Sequence, residues 1–277
     1  MASSRPIRHI RPNQPFSEWA KQVVERRETL WFFVWKDLKV QYRKPILGLA
    51  WSVFQPLVYF GIIISVMSVS GRSNSELTIP FSLYLISGLT IWNFITSTVL
   101  GSINSIQSNA GIVSKAFFPR FYLVLSPMIK GLADLLIMLV ITFGFAAWLG
   151  QSINGIMFIH LPLAILIAFL TCLGWSAIAA SLVVRMPQIR HAIPIVMYAM
   201  LFALPVFYDL RAIDSHPLTT AYNLNPIAGA MDLFRTGFGA SPVLHFQVMA
   251  WFGQSLVWLI IGTLFFRSTE RKLADLV

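Results

Sequence analysis

Hydrophobic and polar positions along this chain follow two regimes. From residue 49 onward, long apolar runs alternate with short polar stretches, whereas the preceding residues carry the mixed pattern of a surface helix. Apolar runs over 49–69, 81–103, 132–149, 161–184, 192–208 and 248–266 reach, or nearly reach, the roughly 20 helical residues that a hydrocarbon core of about 30 Å requires. The pattern predicts six membrane spans, with both chain ends on the same side. No tandem repeat is visible, so the runs form one membrane domain.

The stretch ahead of the first run joins the two regimes. Trp31, Val34, Trp35, Leu38 and Tyr42 recur at helical spacing, while Lys36, Asp37, Lys39 and Arg43 take the other positions. Such a split predicts an amphipathic helix lying in the bilayer interface over 17–44, preceded by a mobile, proline-containing basic tail at 1–16. Pro45 stops that helix and Gly48 loosens the backbone before the first span. The membrane domain then covers 45–267 and a short tail 268–277. Within the long loop at 209–247, Asn225 can cap a helix with Pro226 at its first position, and Ile227, Met231, Phe234 and Phe238 follow at helical spacing. This short amphipathic helix either dips back toward the membrane or lies flat as a solvent-side lid, with Arg235 on its outward face.

Composition agrees with the pattern. Of 277 residues, 56% are hydrophobic and only 12% charged, about half the charged share of soluble domains. The net charge of +10 does not point to nucleic acid, because ten of the 21 Lys and Arg lie before Pro45, beside the first span, where they meet anionic headgroups. Counted by loop, eighteen of the 21 fall on the side of the chain ends and only Arg72, Arg211 and Arg235 on the other. The positive-inside rule puts both ends in the cytoplasm. No apolar leader with a small-residue cleavage site precedes the first span, which is expected to direct insertion itself.

The order of an interface helix, the Leu47-Gly48 turn, Trp51 and Pro56 in the first span, KAFFPR at Lys115 to Arg120, the Asn225-Pro226 pair and the ending RSTERKLADLV resembles the permease subunits of ABC-2 type polysaccharide exporters. Those that move O-antigen and teichoic acid chains are the most similar. The resemblance implies an all-α membrane protein of the ABC-2 exporter fold, with six transmembrane helices, the interface helix, a cytoplasmic coupling helix and short re-entrant helices before the last span. It implies a homodimer in the bacterial inner membrane, docked to two copies of a cytoplasmic ABC ATPase. That partner, not this chain, would hold ATP and magnesium, because no Gly-x-x-x-x-Gly-Lys-Ser/Thr loop is present. The implied cargo is a polysaccharide on polyprenyl pyrophosphate. An exporter of capsule, teichoic acid, drugs or small lipids, and a membrane-embedded transferase, are the alternatives.

Chemistry-bearing residues are sparse. The single cysteine, Cys172, lies in an apolar run, which leaves no disulfide or cysteine-based metal site within one chain. Among the acidic residues only Asp134 falls in a predicted span, four residues after Lys130, and the five histidines lie at loops or span ends, so no proton relay crosses the membrane. No catalytic site is expected. Along the second span Asn93, Ser97, Gly101, Asn104 and Ser108 form a polar stripe that faces protein or water rather than lipid, serving either close helix packing or the lining of a sugar channel. Tyr59, Phe60, Tyr198 and Phe202 join that lining on the strength of the resemblance, because sugar C–H faces stack on rings. Arg43 and Lys44 beside the Leu47-Gly48 turn offer two cations and open backbone to a lipid pyrophosphate, a candidate lateral gate. Lys115, Phe117, Phe118, Pro119 and Arg120 are the candidate ATPase-coupling contact, with both phenylalanines exposed as an apolar anchor. Asn225, Pro226, Ile227, Met231 and Phe234 are the candidate outer gate helix.

Overall fold

A computed structural model describes residues 16–25, 27–42, 49–69, 77–113, 118–208 and 223–270, which contain helices and no strand. The helices are α1 (Phe16–Glu25), α2 (Arg27–Tyr42), α3 (Leu49–Val69), α4 (Phe81–Ser108), α5 (Ala110–Val113), α6 (Tyr122–Trp148), α7 (Met157–Arg185), α8 (Ile189–Ala203), α9 (Pro226–Thr236) and α10 (His245–Glu270). Four of them, α4, α6, α7 and α10, are long and apolar enough to cross a membrane. The chain is thus a multi-pass, all-helical membrane protein. The tails at 1–15 and 271–277, the turn holding Arg43, Lys44, Leu47 and Gly48, and Lys115 and Phe117 lie outside the described residues.

Two helices differ from the pattern read along the chain, each for a local reason. The run at 192–208 yields only α8, whose 15 residues span about 22 Å. Pro205 ends it: the residue before a proline is driven to extended backbone, and Leu204 has φ −90° and ψ 158°. α6 begins ten residues earlier than its apolar run, because polar positions in its first turns find partners. Ser126 is buried and donates to Asp37 Oδ2 at 2.5 Å.

α7 and α4 are the centre of the bundle. α7 packs on α10, α9 and α4, while α4 also packs on α6. The α7–α10 crossing is a backbone contact. A Cβ on Gly174 would overlap the Trp258 carbonyl, and one on Gly262 would overlap the carbonyl of Gly174. Close approach of this kind replaces the hydrophobic drive that helices lack in lipid. α10 otherwise buries a single stripe, Trp251, Ser255, Gly262, Phe266 and Thr269, and exposes Val257, Ile260, Ile261 and Leu264.

α2 packs along α6 with a different face from the one expected. Phe33 and Val34 are buried, whereas Trp31, Phe32 and Trp35 are exposed. Asp37 and Lys36 turn to the protein, Asp37 to Ser126 and Lys36 Nζ to Asn109 Oδ1. The helix therefore has three faces, because its polar side is satisfied by α4 and α6 instead of water. The outward aromatics, with Lys39 over the Trp35 ring at 5.3 Å, have the composition of an interfacial surface.

Candidate functional site

The exposed side of α4 is polar. Most of this helix is buried, and its partly or fully exposed residues beyond the first turn are Asn93, Thr96, Ser97, Leu100, Gly101, Asn104, Gln107 and Ser108. At 100° per residue these eight fall on one face, and only Leu100 among them has a large apolar side chain. Gly101, at one edge, packs against Pro127 of α6, since a Cβ there would lie 3.0 Å from the proline ring. Asn104, Gln107 and Ser108 are open. Elsewhere in the long helices the exposed surface away from the helix ends is mainly apolar, with Leu136, Val140, Leu166 and Ile260 as examples, and Gln254 and Thr263 of α10 are isolated polar positions on it. A polar stripe on a membrane helix has to meet water or protein, since hydrocarbon leaves its hydrogen-bonding groups unpaid.

The aromatic candidates divide between two neighbours of α4. Tyr59 and Phe60 on α3 are half-buried, with Phe60 edge-on to Phe145 of α6 at 5.4 Å. Tyr198 and Phe202 on α8 are exposed, and Phe202 stacks near Phe207 at 5.4 Å. Both α3 and α8 pack on α4, which places the two aromatic pairs on helices adjoining the polar one.

At one end of α4 the bundle is closed by α9. Asn225 caps this helix, its Oδ1 accepting from the amides of Ile227 at 2.9 Å and Ala228 at 3.5 Å, with Pro226 in the first turn. The flat solvent-side lid does not fit: every residue of α9 is buried, not only Ile227, Met231 and Phe234. Gly229 makes room for the Trp251 ring of α10, and Gly237 for Met157 of α7. Phe143 of α6 meets Phe234 and Phe238.

Burial of α9 overturns the expectation for Arg235, whose side chain is 0% exposed. Its guanidinium carbon lies 3.4 Å from the centre of the Tyr84 ring, and Nη2 donates to the Tyr84 carbonyl at 3.1 Å. Nη1 is 3.5 Å from Asp232 Oδ1. The i, i+3 spacing of Asp232 and Arg235 was the only signal for this buried pair, and the predicted spans did not include it. The contact with Tyr84, 151 residues away in sequence, has no signal at all.

At the opposite end of α4, helix termini are tied together by cations. Arg120 donates from its amide to Glu270 Oε1 at 3.2 Å and from Nη1 to the Glu270 carbonyl at 2.5 Å. Arg185 donates to Thr269 Oγ1 at 2.8 Å and Ser268 Oγ at 2.7 Å, and lies 4.4 Å over the Phe265 ring. Both arginines thus sit at the C-terminal end of α10, where helix carbonyls and the macrodipole favour a cation. Arg190 of α8 donates to Gln107 Oε1 at 3.2 Å. Phe118 is buried against Phe33 of α2, ring centres 5.0 Å apart, and Pro119 is also buried. The expected exposure of Phe118 is therefore corrected: its partner is the chain's own interface helix.

The fold-level expectations meet their test in the family. A family model described as "ABC-2 type transporter" matches residues 28–238. The chain belongs to the ABC-2 type transporter family. Within and around that membership it is similar to the protein named "O-antigen export system permease protein RfbA" of Myxococcus xanthus, 24% identical over 262 residues, which is 92% of this chain and 97% of that protein. A protein of the same name from Klebsiella pneumoniae is 26% identical over 245 residues, covering 87% of this chain and 92% of the relative. The resemblance read from the sequence thus holds at the level of the family. Among the described residues no three His, Cys, Asp or Glu side chains gather as a metal site would need. Cys172 is buried.

Proposed function

We propose that this chain is the permease subunit of an ATP-driven exporter that carries lipid-linked polysaccharide, O-antigen of lipopolysaccharide in particular, across the bacterial inner membrane. The observation that carries this reading is the nearly end-to-end similarity to curated O-antigen export permeases. Two copies of the chain would form the pathway. α3 and α8 complete the six crossings, α8 together with the turn after Pro205, and both chain ends are cytoplasmic, as the distribution of Lys and Arg supports. The α2 end of the bundle then faces the cytoplasm and the α9 end faces outward.

In this reading each part of the molecule has a task. The turn with Arg43, Lys44, Leu47 and Gly48 admits the lipid pyrophosphate between the interface helix and α3. Asn93, Ser97 and Asn104 offer hydrogen bonds to sugar hydroxyls, and Tyr59, Phe60, Tyr198 and Phe202 offer ring faces. α9 closes the outer end. ATP and magnesium act on a separate ABC ATPase, whose push enters through 115–120 and is passed to α2 by Phe118 and to α10 by Arg120. Inactivating the chain in its native host, with its ATPase intact, tests the reading. Surface O-antigen should be lost while polyprenyl-linked polymer accumulates in the inner membrane. Normal surface polymer, or a block in polymer synthesis itself, would overturn it.

A further inference from the structure

Arg235 is an expensive residue to bury in a membrane bundle. It is enclosed with Asp232 on α9, whose Oδ1 lies 3.5 Å from Nη1 as an ion pair outside hydrogen-bond geometry, and its Nε has no hydrogen-bond partner among the described residues. Apolar side chains of similar volume in place of the whole Asp232–Arg235 pair would fill the same space without desolvating charge, and such replacements are often neutral or stabilising, whereas removing the arginine alone would strand the buried Asp232 carboxylate. The surroundings show what the arginine joins. Tyr84 holds the guanidinium over its ring face and on its carbonyl, while its hydroxyl donates to the Tyr208 carbonyl at 3.0 Å. Gly88, one turn on, leaves the space that Arg235 and Val206 fill: a Cβ there would stand 2.6 Å from Arg235 Nη2 and 3.4 Å from Val206. α4, the turn after α8 and α9 are therefore gathered on two positions of α4.

We propose that Arg235 is a reversible clasp, a positioning residue that holds α9 in the bundle yet lets it leave at low cost. Stacking on Tyr84 and one carbonyl contact give the closed state its geometry. The unmet Nε donor, the long approach to Asp232 and the desolvation of both charges make that state shallow, because the pair regains full hydration when α9 swings out. An apolar plug would gain nothing outside and would stay in. This inference rests on the reading of the α9 end as the outer exit, and it assigns to Arg235 and Tyr84 the balance between shut and open.

The test compares backbone hydrogen exchange over 226–238 in the full-length chain in lipid nanodiscs for the wild type and the double variant Asp232→Leu with Arg235→Met, which removes both charges together. Exchange reports local opening whether or not a substrate is present. The clasp predicts exchange at least about fivefold slower in the double variant, with lower export when it is paired with the ATPase. Equal or faster exchange would overturn it, since a purely structural pair loosens the helix when removed. Should the double variant not fold, Gly88→Ala, which presses its methyl on Nη2, is expected to speed exchange over 226–238 by a similar factor, and unchanged exchange there would equally overturn the clasp. Failure of the export reading is seen separately, as loss of no surface polymer on inactivation of the wild-type chain.

Discussion

α4 and α10 are both membrane-length helices, but they are organised in opposite ways. α10 attaches to the bundle by one narrow stripe and shows a mainly apolar surface elsewhere, with Val257, Ile260, Ile261 and Leu264 exposed. α4 buries most of its circumference, including Ser87, Thr90, Thr98, Ser102 and Ser105, and leaves open a face made largely of Asn, Thr, Ser, Gly and Gln. The first arrangement suits lipid outside and protein inside. The second suits protein on most sides and something polar on the last. Two helices of nearly equal apolar content thus differ in which residues they leave uncovered, and that difference locates the candidate pathway.

The contrast gives an order of sensitivities. Gly262→Leu should have the largest effect, because its side chain would enter the backbone of α7 at Gly174. Loss of the folded protein from detergent extracts, read by size-exclusion chromatography, is expected. Ile260→Lys places a charge on the exposed face of α10 and should cost about 3 kcal/mol if that face meets lipid, lowering thermal stability clearly. Asn225→Ala removes the cap of α9 and should cost about 1 kcal/mol, a smaller shift in the same assay. Ser97→Leu with Asn104→Leu should leave stability nearly unchanged yet reduce export, because both side chains lie on the uncovered face of α4. A large stability loss there with export intact would reassign the stripe to packing.

How much of this was legible in the sequence depended on whether a feature was local. α3 has the bounds of its apolar run, and the Asn225-Pro226 start of α9 was readable because a cap and a first-turn proline act within a few residues. Faces were less legible. α2 shows Trp31 and Trp35 outward but also turns Asp37 inward, since Ser126, 89 residues on, satisfies it. The α9 pattern of Ile227, Met231 and Phe234 describes one apolar face, yet the helix is enclosed on every side. Arg235 and Phe118 depart from the sequence pattern for the same reason, because their partners, Tyr84 and Phe33, are distant in sequence. The open face of α4 was partly visible as Asn93, Ser97, Gly101, Asn104 and Ser108, while Thr96 and Gln107 were added by the packing of α6 and α7 around it.

On the proposed reading the open face of α4 meets water and the exposed face of α10 meets lipid. Single cysteines at 97, 104, 257, 260 and 264, with Cys172 left in place because it is buried, can be exposed to a small membrane-impermeant thiol reagent in the reconstituted transporter. Labelling is expected at 97 and 104, rising when the ATPase partner turns over ATP, with 257, 260 and 264 unlabelled. Protection of both α4 positions in every state, or equal labelling on α10, would contradict it.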